Sequence, residues 1–151
     1  MPNAPKKYIA PGTPTPKDTA KQYDRRRGSF RQRGYTYKQW DKLKEYLKQL
    51  PQFVCCDECG GMRELFDHII PVPRPGITTA AMLLGISWTD EMMTSLENIS
   101  PKCRRCHDAK TRRFDGGHGQ TPDASAQGRA EIDRMLEVAR KRAEEVNTAL
   151  L

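Results

Sequence analysis

Two pairs of cysteines and a small set of imidazole and carboxylate side chains are the residues here whose types and spacing suit chemistry. Cys56 and Cys59, and again Cys103 and Cys106, stand in C-x2-C spacing. One turn of chain then presents two thiolates to one side, and two such pairs can close a tetrahedral zinc site with bonds of about 2.3 Å. Cys55 would break the two-residue gap if it replaced Cys56, and is expected to be a small buried residue. Between the knuckles lie Asp67-His68 and Asn98, and His107 follows directly after the last cysteine. Singly, each is a common structural residue. Together they match what hydrolysis of a phosphodiester needs: a base for water, a cation on the phosphate and stabilisation of the leaving oxygen. A carboxylate and an imidazole can seat one divalent ion with open water positions, and a second imidazole, neutral near pH 7, can take the proton.

The elements that must position these groups can be read from periodicity and punctuation. Thr36 and Gln39 have capping-box spacing, and Trp40, Leu43, Leu47 and Leu50 recur at helical intervals until Pro51. This helix reads as core. Residues 52–71 suggest a short hairpin that turns at Cys59-Gly60-Gly61 and carries Leu65, Phe66, Ile69 and Ile70 into Pro71. Neighbours in a strand face opposite sides, so Asp67 and His68 can share a site only near a strand end or a bulge. Pro71, Pro73, Pro75 and Gly76 then break regular structure, and two short helices are expected at 79–84 and 90–95, with Gly85 stopping the first. Met82, Leu83, Leu84, Ile86 and Trp88 read as a lid over the core. A longer helix is expected from Pro101 or Lys102 to about Arg113, bearing Cys106, His107 and Lys110, with Asp115-Gly116-Gly117-His118-Gly119 as flexible punctuation. His118 is either exposed and inert or an accessory ligand. A last helix should start at Thr121-Pro122-Asp123. Its stripe of Ile132, Met135, Leu136, Ala139, Ala143, Val146 and Leu150 either packs on the body or meets a partner helix.

Composition bounds the rest. In a chain of 151 residues with 36% hydrophobic content, the core is modest and benefits from a metal staple. The net charge of +7 and pI near 9.3 favour a polyanionic partner. Lys21, Arg25, Arg26, Arg27, Arg31 and Arg33 face a single acid, Asp24, with Tyr23, Phe30 and Tyr35 interleaved. This segment is either a solvated basic arm or a phosphate-tracking one, with Arg forks on the backbone. The expected organisation is a disordered leader (1–20), a catalytic unit with the basic arm and first helix (21–117), and a linker with the carboxy-terminal helix (118–151). No run is long and apolar enough to span a bilayer, and the amino terminus lacks a signal-peptide stretch, so a reducing cytoplasm is expected, with no membrane partner.

The run Asp67-His68-Ile69-Ile70-Pro71, followed by Asn98 and then Cys103-Arg104-Arg105-Cys106-His107-Asp108-Ala109-Lys110-Thr111, resembles the HNH endonuclease family. It is most similar to the small phage and prophage members with paired C-x2-C motifs, and Tyr23-Asp24-Arg25-Arg26-Arg27-Gly28-Ser29, Arg33-Gly34-Tyr35, Trp40 and Asp115-Gly116-Gly117 match as well. The resemblance extends over residues 22–119. It implies a small α+β fold, with a ββα-metal core, structural zinc and flanking helices, and a metal-dependent endonuclease that nicks or cuts DNA. His68 would be the general base. Asp67 and His107 would hold one catalytic Mg2+ or Mn2+, and Asn98 would orient His68. Cys56, Cys59, Cys103 and Cys106 would hold the structural zinc. Arg25, Arg26, Arg27, Arg31, Arg33 and Lys110 would grip DNA. The implied products carry 5′-phosphate and 3′-hydroxyl ends, and the implied setting is a bacterial host cell, beside a phage terminase or another packaging protein. The chain departs from some relatives at Thr111, where they place a third ligand histidine; two protein ligands and several waters suit Mg2+. The stretch 72–96 is less familiar. A zinc-ribbon module that binds DNA without cleaving it also explains the cysteines and the charge, but leaves Asp67, His68, Asn98 and His107 as coincidence.

Overall fold

The computed structural model describes residues 37–116 and 119–150. In chain order the elements are α1 (Tyr37–Leu47), β1 (Leu65–His68), α2 (Ala80–Leu83), β2 (Ile99–Lys102), α3 (Arg104–Phe114) and α4 (Ala126–Ala149). Single 3-10 turns occupy Pro51–Phe53, Asp90–Met93 and Leu96–Asn98. The described residues form a small α+β structure, with a two-stranded antiparallel sheet among helices.

Helix α1 buries Trp40 and Leu47, two turns apart on one face. Leu50 is extended (φ −90°, ψ 127°), as the residue before a proline must be, and Pro51 opens a new 3-10 turn. Thr36 lies outside the described residues.

Strand β1 does not pair within a 52–71 hairpin. Its partner is β2, with Leu65 opposite Lys102, Phe66 opposite Pro101, Asp67 opposite Ser100 and His68 opposite Ile99. What remains of the expected hairpin is one bridge, Cys55 to Met62, around a tight turn in which Gly60 takes φ +72°. A turn built to gather thiolates leaves too few residues for a ladder. Side chains alternate across this bridge, so Cys56 is buried while Cys55 is exposed, contrary to the expected burial.

Pro101 and Lys102 belong to β2 rather than to the following helix. Helix α3 starts at Arg104 because Cys103 is extended (φ −76°, ψ 160°) and its sulfur accepts from the Cys106 amide at 3.4 Å. Helix α2 is a single turn capped by Thr79, and Gly85, at φ +76°, ends it as expected. Residues Asp90–Met93 form a 3-10 turn, not an α-helix. Of the expected lid, Leu84, Ile86 and Trp88 pack on the core, whereas Met82 and Leu83 are exposed.

Helix α4 begins at Ala126, later than Thr121, because Ser125 is the cap, accepting from Gly128 N at 3.1 Å, and Asp123 in turn holds Ser125 N at 3.0 Å. Its stripe is used by the chain's own core. Ile132, Met135 and Ala139 join Ile69, Ile70, Ala80, Ala81 and Phe114, while Val146 joins Trp40, Leu47, Phe53 and Ile99. Helix α4 is thus shared by the two hydrophobic clusters. Only Leu150 of the stripe is open to solvent, so of the two expected uses the stripe packs on the body. Among the described residues, no helix is long and apolar enough to cross a membrane.

Candidate metal centre and the adjoining cleft

The Cys56 to Cys59 turn and the start of α3 bring four thiols together. The sulfurs of Cys56, Cys59, Cys103 and Cys106 all lie within 4.8 Å of one another, and Cys59 Sγ is 3.8 Å from Cys103 Sγ. A tetrahedral ion with bonds of about 2.3 Å sets its sulfurs about 3.8 Å apart, whereas a disulfide needs about 2.05 Å. Inside this turn Gly60 N donates to Cys56 O at 2.9 Å and Cys56 N to Gly61 O at 2.7 Å. Burial raises the Cys56 thiol, but amides of Cys59, Cys103 and Glu58 outweigh it and bring the group down to about 7. Desolvation and the three neighbouring thiols push Cys106 up to about 12. Four sulfurs at this spacing could hold a metal such as zinc.

The knuckle is anchored through the two acids between its cysteines. Arg142 of α4 forms a fork onto Asp57, at 2.5 and 2.7 Å, and Ser100 Oγ donates to the same carboxylate at 2.7 Å. Glu58 accepts from Arg134 at 2.8 Å and from the buried Lys102 ammonium at 3.3 Å. Burial raises the Glu58 carboxyl, yet Lys102 and Arg134 hold it below the ordinary range.

A second constellation lies where β1 ends. Asp67 and His68 are its last two residues, which lets both reach one side, and together with His107 and Asp115 they line a cavity of about 260 Å³. Trp40, Phe66, Pro71, Val72, Arg74 and Thr111 complete the wall. Asp67 Oδ1 is 3.6 Å from His107 Nε2. The His68 ring stacks on Trp40 (centroids 4.4 Å apart), meets Trp88 edge-on at 6.3 Å, and has Nε2 2.8 Å from Met93 O. Burial holds its pKa below the usual imidazole value, outweighing the Met93 contact and the Asp67 charge.

Asn98 does not act on the imidazole ring directly. Its Oδ1 accepts from Ile70 N at 2.8 Å, and its Nδ2 donates to Ile70 O at 3.0 Å and Met92 O at 3.2 Å. Ile70 lies two residues after His68, and Met92 directly precedes the residue whose carbonyl meets the ring. Asn98 therefore clamps both backbones that orient His68.

The resemblance implies that Lys110 grips DNA, but its side chain is buried instead. It is 5% exposed, with its ammonium 3.0 Å from Asp67 Oδ2, 3.0 Å from Asp115 Oδ2 and 2.5 Å from His68 O. Four residues before Phe114, it sits on the face of α3 that packs inward. The two carboxylates raise its pKa against the cost of burial. Asp115, expected as punctuation, is buried too; burial raises its carboxyl to about 6, against the pull of Lys110. Gly116 follows at φ +69°, and a Cβ there would collide with Thr78 O, so only glycine lets the loop seat Asp115.

Sequence reasoning missed Asp115, Arg74, the stacking of Trp40 and the inward placement of Lys110, which it reads as a DNA contact. Lys110 and Trp40 had been placed on helices, but a surface lysine and a core tryptophan give the same pattern. Arg25, Arg26, Arg27, Arg31, Arg33 and His118 lie outside the described residues. No protein-family model, no curated protein and no solved structure matches the chain.

Proposed function

We propose that the chain is a metal-dependent DNA endonuclease of the HNH type, with β1, β2 and α3 as its ββα-metal core. One observation carries this reading: Asp67 and His68 at the end of a strand, and His107 on a helix, line one cavity separate from the thiol cluster. The donor set fits a hard divalent ion. Asp67 Oδ1 and His107 Nε2 lie side by side, and Asp115 Oδ1 is a buried oxygen that accepts no hydrogen bond. When bound by Asp67 and His107, Mg2+ or Mn2+ would supply charge at the scissile phosphate and its leaving oxygen.

The protein's own groups do the remaining work. His68, neutral because it is buried, takes the proton from the attacking water. Trp40 and Trp88 hold its ring, and Asn98 holds the backbones on both sides of it. Arg74 lines the cavity, and its guanidinium has no ion pair among the described residues, so it is available to a phosphate. The net charge of +7 and the exposed Arg104, Arg105 and Arg112 on α3 favour a nucleic-acid backbone as ligand.

The test is the chemistry of the ends. Supercoiled plasmid nicked by the zinc-loaded protein in Mg2+ or Mn2+ should be resealed by DNA ligase, which needs a 5′-phosphate next to a 3′-hydroxyl. Nicks that ligase cannot seal would contradict the proposed water attack. DNA binding without nicks would favour a zinc-dependent binding module instead.

A further inference from the structure

Lys110 is a buried charge next to the cleft. An ammonium carries three protons, and three oxygens surround this one: Asp67 Oδ2, Asp115 Oδ2 and His68 O. The contact with Asp67 is an ion pair at 3.0 Å. As a way to stabilise a fold, a buried ionic triad returns little, because desolvation of the charges offsets their attraction. As a way to fix a carboxylate and set the charge of a site, it is effective.

We propose that Lys110 is a positioning residue that sets how tightly the cleft takes a divalent cation: it holds Asp67 by Oδ2 and neutralises Asp115, leaving Asp67 Oδ1 beside His107 as the cation's anionic seat. The inference rests on the nuclease reading above, because it concerns the same cleft. Two carboxylates and one ammonium leave a single net negative charge at the seat; without the lysine there are two. A fixed positive charge in a poorly solvated site opposes a second cation strongly. The seat is therefore loose by construction, which suits an ion that must exchange its waters for substrate and product oxygens. Asp115 takes part because Gly116 lets its loop close against Thr78.

The experiment measures Mn2+ binding to the full-length, zinc-loaded protein by the paramagnetic resonance of free Mn2+, without DNA, with circular dichroism and zinc content as controls for folding. Lys110→Met should bind Mn2+ tighter by about tenfold or more, while nicking at saturating Mn2+ falls. Asp115→Asn should shift binding the other way, weaker by about fivefold or more, since the Lys110 charge is then offset by Asp67 alone. A merely structural lysine would not move affinity in opposite directions in two folded variants. Unchanged or weaker Mn2+ binding in folded Lys110→Met overturns the inference; if that variant does not fold, unchanged affinity in Asp115→Asn does so. Should the wild type show no Mn2+ binding that Asp67→Asn abolishes, the nuclease reading falls with it. Asp67-dependent binding that both variants leave unmoved sinks the Lys110 inference alone.

Discussion

His68 Nε2 lies 2.8 Å from the main-chain oxygen of Met93. A carbonyl has no proton to give, so Nε2 carries the N–H and the lone pair of the neutral ring resides on Nδ1. The hydrogen bond thus selects the tautomer, and burial, which lowers the pKa, keeps the ring neutral near pH 7.

The first prediction concerns pH. Cleavage should be flat above about 6.5, the ordinary imidazole value, with its acid limb displaced below that. Stability carries the same sign. As pH falls past about 6.5 the unfolded chain takes up the proton first, so the contribution of the neutral ring is complete above that value and is lost as pH falls through the lower folded one. Urea midpoints of wild type and His68→Phe between pH 5 and 7.5 should converge toward acid, and parallel curves would remove this account of the ring.

Asn98 tests the clamp. Removing its amide leaves Ile70 N, Ile70 O and Met92 O without their partner. At about 1–3 kcal/mol for each buried group left unpaired, Asn98→Ala should lower the unfolding free energy by about 3 kcal/mol or more. The turnover rate should drop while Mn2+ affinity holds, because none of the cation's seats is touched. A variant as stable as wild type in chemical denaturation would show that the clamp is not made.

The thiol cluster and the proposed divalent-cation seat should separate by mutation. Cys106→Ser removes one of four clustered sulfurs, and zinc content and helical circular dichroism should fall together. His107→Ala, one residue on, should keep both and lose divalent-dependent cleavage. Identical zinc content and spectra in the two variants would mean that structural and catalytic roles are not divided this way.

Arg142 ties α4 to the knuckle. Its side chain is 7% exposed and that of Asp57 13%, so the fork is shielded from water. Breaking a buried pair by removing one partner costs about 3–5 kcal/mol, and Arg142→Met should be destabilised on that scale. Replacing Asp57 by Asn in the same protein should recover much of the loss, and a chelator should strip zinc faster from the single variant than from wild type. Equal zinc-loss rates would uncouple the helix from the knuckle.

The residues that meet in the cleft were readable in the sequence because their types are rare and their spacing is local: Asp67 beside His68, His107 after the second knuckle. The thiol cluster was readable for the same reason. Partners decided by distant packing were not. Nothing local in 52–71 says that β1 pairs with a strand beginning at Ile99, and a lysine on α3 looks alike whether it faces water or two carboxylates. Asp115 in a Gly-rich run reads as a turn until the Lys110 ammonium is found 3.0 Å away. The starts of α3 and α4 moved because Cys103 and Ser125 cap them, where proline and threonine gave a competing signal.

The nuclease reading stands or falls most directly on the rate at which supercoiled plasmid is nicked by wild type and by His68→Ala, each zinc-loaded and matched for DNA affinity. In Mg2+ or Mn2+ the wild type should nick, EDTA should stop it, and His68→Ala should be slower by about 10²–10⁴-fold. Equal rates in the two proteins, or none in either with any divalent ion, would contradict it.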